Sequence, residues 1–183
     1  MEEVARAVHM GMPKVQIVVH ALYRAARRER VAGTGQEEPP IRRGVPEWQR
    51  WMAANPVPDA SRSMLQEATP ALGVQPLSTP LRLFARWPEA VSLLVATLRS
   101  PARDDKWKAG VARLRRLVVA GIRNLPHPID LQWTALGERG LSDGDRLRIV
   151  EVLGAQDASM AMQTMIATFA WQALGAPQIG LDG

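Results

Sequence analysis

Apolar residues recur at spacings of three and four along most of this chain, the period of a helix with one buried face. From Pro88 to Arg99, Val91, Leu94, Val95 and Leu98 fall on one side. Pro101 opens the longest such run, to Asn124, with Trp107, Val111, Leu114, Leu117, Val118 and Ile122 facing one way. Val15, Ile17, Val18, Ala21 and Leu22 mark a helix from Pro13 to Glu29, separated by Gly11 and Pro13 from another over Glu2 to Met10. Asp59 to Leu72 carries Met64, Leu65 and Ala68 on one face, and Pro70 is expected to end that helix early. Ser142-Asp143-Gly144-Asp145 has the form of a capping box and predicts a helix through Leu153. Met160 to Leu174 predicts a last, apolar helix.

Nothing comparable predicts strands. The β-branched runs are short, and no tight-turn dipeptide joins two alternating segments. The expected fold class is therefore all-α, and 183 residues suit a single domain with a core of its own. Within it, residues 1–30 read as a helix pair and 31–57 as a linker with a short helix around Trp48 and Trp51. Residues 58–176 read as the main helical repeat and 177–183 as a tail.

Charge and composition narrow the classes. The net charge is +5. The cations group as Arg24, Arg27, Arg28 and Arg30, where they complement a helix C-terminus, and as Arg113, Arg115, Arg116 and Arg123 on the long helix. Neither group is interleaved with aromatics in the manner of a nucleic-acid surface, so solvated helix faces are expected. Residues 158–181 carry no charge, but Gln163, Gln172, Gln178 and Pro177 interrupt them, which predicts a buried core helix and no membrane span. The chain has no cysteine and opens Met-Glu-Glu-Val, which points to the cytoplasm. His9, His20 and His127 lack the spacing of a metal site; His9 and His20 read as partly buried helix residues. Ser78 sits in no nucleophile turn. The six tryptophans read as helix-packing residues. Asp157 reads as an N-cap before Ala158.

Three segments together carry a family resemblance. Met10-Gly11-Met12-Pro13-Lys14 precedes an apolar helix; Ser78-Thr79-Pro80 opens another that ends in Trp87-Pro88; and a long helix follows, closing at Leu125-Pro126. Their order and spacing resemble the group I 2-haloacid dehalogenases, cofactor-independent α-helical enzymes that hydrolyse both stereoisomers of 2-haloacids. The resemblance runs from about residue 2 to residue 176 and matches roughly the last two thirds of a full family member. It implies two related helical repeats, of which this chain would hold the second plus the last helix pair of the first. A weak hydrophobic echo at an offset of 145, placing Val4, Ala7 and Val8 on Ile149, Val152 and Leu153, agrees with such a repeat.

The resemblance also shows what is missing. In those enzymes an Asp seven residues before the Trp-Pro pair takes a proton from the attacking water, and the Asn of a Gly-Asn-Pro-Lys turn holds that water. Here the Asp position is Pro80, the Asn position is Met12, and a Tyr three residues after the Asn is Val15. A general base needs a protonatable lone pair, and Pro80 has none. The expectation is a homologue without dehalogenase activity, keeping a small apolar pocket near Met12, Val15, Ser78, Thr79 and Pro80 for a small organic acid or apolar ligand. The alternatives are an active hydrolase using Asp157 or a partner subunit's carboxylate, since the echo places Asp157 opposite Met12, and a non-catalytic oligomeric interaction module. No cofactor or metal is implied. The apolar surface of the Pro13–Glu29 helix predicts a homodimer.

Overall fold

The computed structural model describes residues 2–33, 57–72, 79–99 and 105–173. The fold is all-α, as the hydrophobic periodicity predicts, and among the described residues the only β-pairing is one isolated bridge. Seven helices appear there: α1 (Glu2–Ala26), α2 (Asp59–Leu72), α3 (Thr79–Phe84), α4 (Pro88–Arg99), α5 (Asp105–Gly121, continued by a 3-10 turn Ile122–Asn124), α6 (Trp133–Glu138) and α7 (Asp143–Ala173). The helix around Trp48 and Trp51 and the 177–183 tail lie outside the described residues.

Helices α1 and α7 pair antiparallel and form the spine of the domain. Both are longer than the sequence predicts. The expected pair over residues 1–30 is one helix of 25 residues that runs through Pro13. Proline inside a helix costs roughly 3 kcal/mol. Packing on both sides of it, by Val8 and Met12 before and within the turn and by Gln16 after it, outweighs that cost. Likewise α7 is one helix of 31 residues that passes Gly154 without a break. Glycine there serves packing: a Cβ on Gly154 would lie 3.0 Å from Tyr23 of α1. The capping box forms as predicted, with the Asp145 amide donating to Ser142 Oγ at 3.1 Å and the Ser142 amide donating to Asp145 Oδ2 at 3.1 Å. The Ser142 hydroxyl, donating to Asp145 Oδ2 at 2.6 Å, and then the Ser142 amide hold the Asp145 carboxyl below its ordinary value.

The core divides along the spine. At the α1 N-terminal end, Leu65, Leu81, Phe84, Val91 and Leu94 from α2, α3 and α4 close on Trp107 of α5 and on Ile166 and Trp171 of α7. Trp107 and Trp171 thus pack as expected, Trp107 with its indole N–H donating to Met162 Sδ at 3.0 Å. Most apolar positions of the long helix behave as predicted, but Leu117 is exposed, while Val118 and Ile122 are buried, Ile122 against Ala21 and Ala25 of α1. At the other end Ala21, Ala25, Val31 and Ile122 form a separate cluster. Val31, on the segment read as linker, is held there by the bridge to Ile129, whose amide donates to Val31 O at 3.2 Å. Among the described residues no helix is long and apolar enough to cross a membrane.

Candidate functional site

The seam between α1 and α7 carries a ladder of polar contacts. Nearest the α1 C-terminus, His20 Nδ1 lies 3.0 Å from both carboxylate oxygens of Asp157, and each side chain is 19% exposed. In the middle, Gln16 and Thr164 are buried and hydrogen bonded at 3.1 Å. Towards the α1 N-terminus, His9 Nδ1 lies 3.0 Å from Thr168 Oγ1, and its ring stacks on Trp171 at a centroid distance of 4.3 Å. The Thr168 hydroxyl proton goes to the Thr164 carbonyl, so His9 donates through Nδ1–H. Burial lowers the His9 pKa below its ordinary value by penalising the charged ring.

Asp157 is therefore not an N-cap. It sits in the middle of α7, and its oxygens accept from His20. Nor does it face Met12: the residue it meets on α1 lies eight positions further along, about 12 Å at helical rise. A parallel sequence echo cannot place residues on two helices that run antiparallel. The carboxylate orients the imidazole through Nδ1 and leaves Nε2 available, the arrangement by which a carboxylate prepares a histidine base. The nearby Ser159 hydroxyl is not offered to it as a nucleophile, since it donates to Gln156 O and accepts from Gln163. Among the described residues no group of three or more His, Cys, Asp or Glu is placed to hold a metal ion.

The other predicted site positions separate. Met12 is buried with Val8, Met160, Ala167 and Leu83, the last of these on α3. Val15, one turn on, is 49% exposed. Thr79 and Pro80 form the first turn of α3 as the Ser-Thr-Pro sequence predicts; their side chains, and Ser78 altogether, lie outside the described residues.

A cleft of about 660 Å³ opens at the other end of the seam, between the end of α1 and the segment 128–134. Arg28, Arg30, Val31, Ile129, Leu131 and Trp133 line it. The sequence reading missed it because its two walls lie some hundred residues apart, and because residues 31 onward carry no helical period. The available signal was local: four arginines within seven residues at a helix end, more than one dipole needs.

No family model matches the sequence, and no curated protein matches it.

Proposed function

We propose that this chain is a helical domain of the group I 2-haloacid dehalogenase type that does not displace halide. One observation carries the reading. Met12 packs into the same buried cluster as Leu83, three residues after Pro80, so the two segments that the resemblance pairs at the water site meet in space, the first as continuous helix and not as a turn. Neither position offers a proton acceptor suited to water: Met12 presents a thioether inside the core and Pro80 has no side-chain base. Such a domain serves as a cytoplasmic, homodimeric binding module for a small organic acid or apolar ligand. The exposed Val15 and Val18 on α1 support the dimer as the surface a second copy covers.

Ion chromatography of the protein incubated with each enantiomer of 2-chloropropionate tests this directly. The expected result is no chloride above the protein-free control. The His20–Asp157 pair favours one second reading, hydrolysis by a displaced base. Chloride release that scales with protein and disappears in Asp157→Asn would establish that reading and overturn the first.

A further inference from the structure

We propose that the cleft between the end of α1 and residues 128–134 binds a small carboxylate with an apolar body. The site lies beyond the C-terminal end of α1, away from the Met12 cluster in the middle of the α1–α7 seam, and rests on its own observations.

Size comes first. A volume of about 660 Å³ suits a small organic molecule. Val31, Ile129 and Leu131 supply apolar wall, anchored by the Val31–Ile129 bridge, so the pocket does not depend on side chains alone for its shape. A polar head is specified by the arginines. Arg28 and Arg30 line the cleft, and neither has a carboxylate within ion-pair distance among the described residues. Glu29, between them in sequence, is already held by Arg24 at 2.9 Å and by Arg27 at 3.4 Å. Asp130 also lines the cleft and is exposed, which confines an anion to the arginine side.

One feature is otherwise unexplained. Arg28 has φ 64°, the left-handed conformation, at the position where a helix end prefers glycine. The Arg28 amide donates to Ala25 O and the Glu29 amide to Arg24 O, which fixes that conformation. Glycine would adopt it without strain, and glycine would not carry a guanidinium into the cleft. Trp133 lines the same cleft with its ring, while its indole nitrogen is buried below the cleft surface and has no acceptor among the described residues. Guanidinium recognises a planar carboxylate through paired N–H donors, whereas a neutral amide forfeits that interaction.

Isothermal titration calorimetry with benzoate, and with benzamide as the neutral isostere, tests the site. Saturable binding of benzoate at one site per chain, with Kd in the millimolar range or tighter, is expected; benzamide binds at least about tenfold more weakly. Arg28→Gly relieves the strained backbone and so does not endanger folding. Combined with Arg30→Gln it weakens benzoate by about tenfold or more. In proton–nitrogen spectra, benzoate shifts the Trp133 indole resonance, identified by its loss in Trp133→Phe. Absence of saturation with benzoate overturns the proposal. So does equal affinity for benzamide, undiminished affinity in the double variant, or an unmoved Trp133 resonance at saturation.

Discussion

Substituting Gly33 by alanine tests how the end of α1 is joined to the 125–131 segment. A Cβ built on Gly33 falls 2.7 Å from Pro128 N and closer still to the carbonyl carbon and oxygen of His127. All three atoms are backbone, so no side chain can swing aside. The Gly33 φ lies outside the left-handed region, so the penalty measured is steric and not conformational. To restore ordinary contact at 3.4 Å, the two segments must separate by about an ångström. That retreat strains the 3.2 Å bond from Ile129 N to Val31 O and lifts Val31, only 2% exposed, from Ala21, Ala25 and Ile122. Overpacking costs about 1–3 kcal/mol and a lost backbone bond about 1 kcal/mol, so the variant is destabilised by about 2–4 kcal/mol. For a chain of this length that lowers Tm by about 5–15 °C. Gly11→Ala is the control, because a Cβ there meets nothing within 4 Å. In a helix interior it gains about 0.5–1 kcal/mol. Urea and thermal unfolding followed by circular dichroism at the helical band give both values. A Gly33→Ala protein within about 0.5 kcal/mol of the parent would refute the steric argument.

Three further outcomes are expected. Because burial places the folded His9 pKa below 6.5, the folded chain binds fewer protons than the unfolded chain below that pH. Its contribution is complete above pH 6.5 and declines as the pH falls below it; urea unfolding at stepped pH should show this slope flattened in His9→Phe, and an unchanged slope would count against it. A double-mutant cycle on His20→Ala and Asp157→Ala should give a coupling of about 1–2 kcal/mol, the pair being only partly exposed, whereas additive effects would remove it from the seam. Light scattering at micromolar concentration should return twice the 20.1 kDa chain mass, and a mass near 20.1 kDa would refute the dimer.

What was legible in the sequence was whatever one helix decides alone. The period of Val91, Leu94 and Val95, the Thr79-Pro80 start and the Ser142–Asp145 box are local patterns, and each forms as read. Breaks were misread for the complementary reason. Pro13 and Gly154 weaken a helix by amounts that an isolated segment would not survive, but each helix here lies along the other, and tertiary packing overrides the local signal. Partners were illegible altogether: nothing in the spacing of His20 and Asp157 reveals that they meet across 137 residues. Burial of Met12 with Leu83 had a signal in the order of the segments, while the cleft at Trp133 had only its excess of arginines.

The polar ladder also explains how the molecule sets its register. Apolar helix faces slide past one another with little preference, because hydrophobic contact is not directional. His20 with Asp157, Gln16 with Thr164, and His9 with Thr168 are directional, and they meet in strict antiparallel order. A slip of one turn, about 5.4 Å, would separate all three pairs while leaving mostly apolar neighbours. Gln16 is 2% exposed, so its unpaired amide would cost about 1–3 kcal/mol, whereas the Thr164 hydroxyl keeps the Met160 carbonyl of its own helix. The apolar clusters at either end therefore stabilise the pairing of α1 with α7, and the polar residues select one alignment of it. That alignment fixes where α1 ends. Six residues beyond the last polar rung the helix stops at Ala26, Arg28 turns into the left-handed region, and Val31 reaches Ile129. The cleft beside Trp133 is thus a consequence of contacts made along the seam, and a change of register would remove it without altering a residue that lines it.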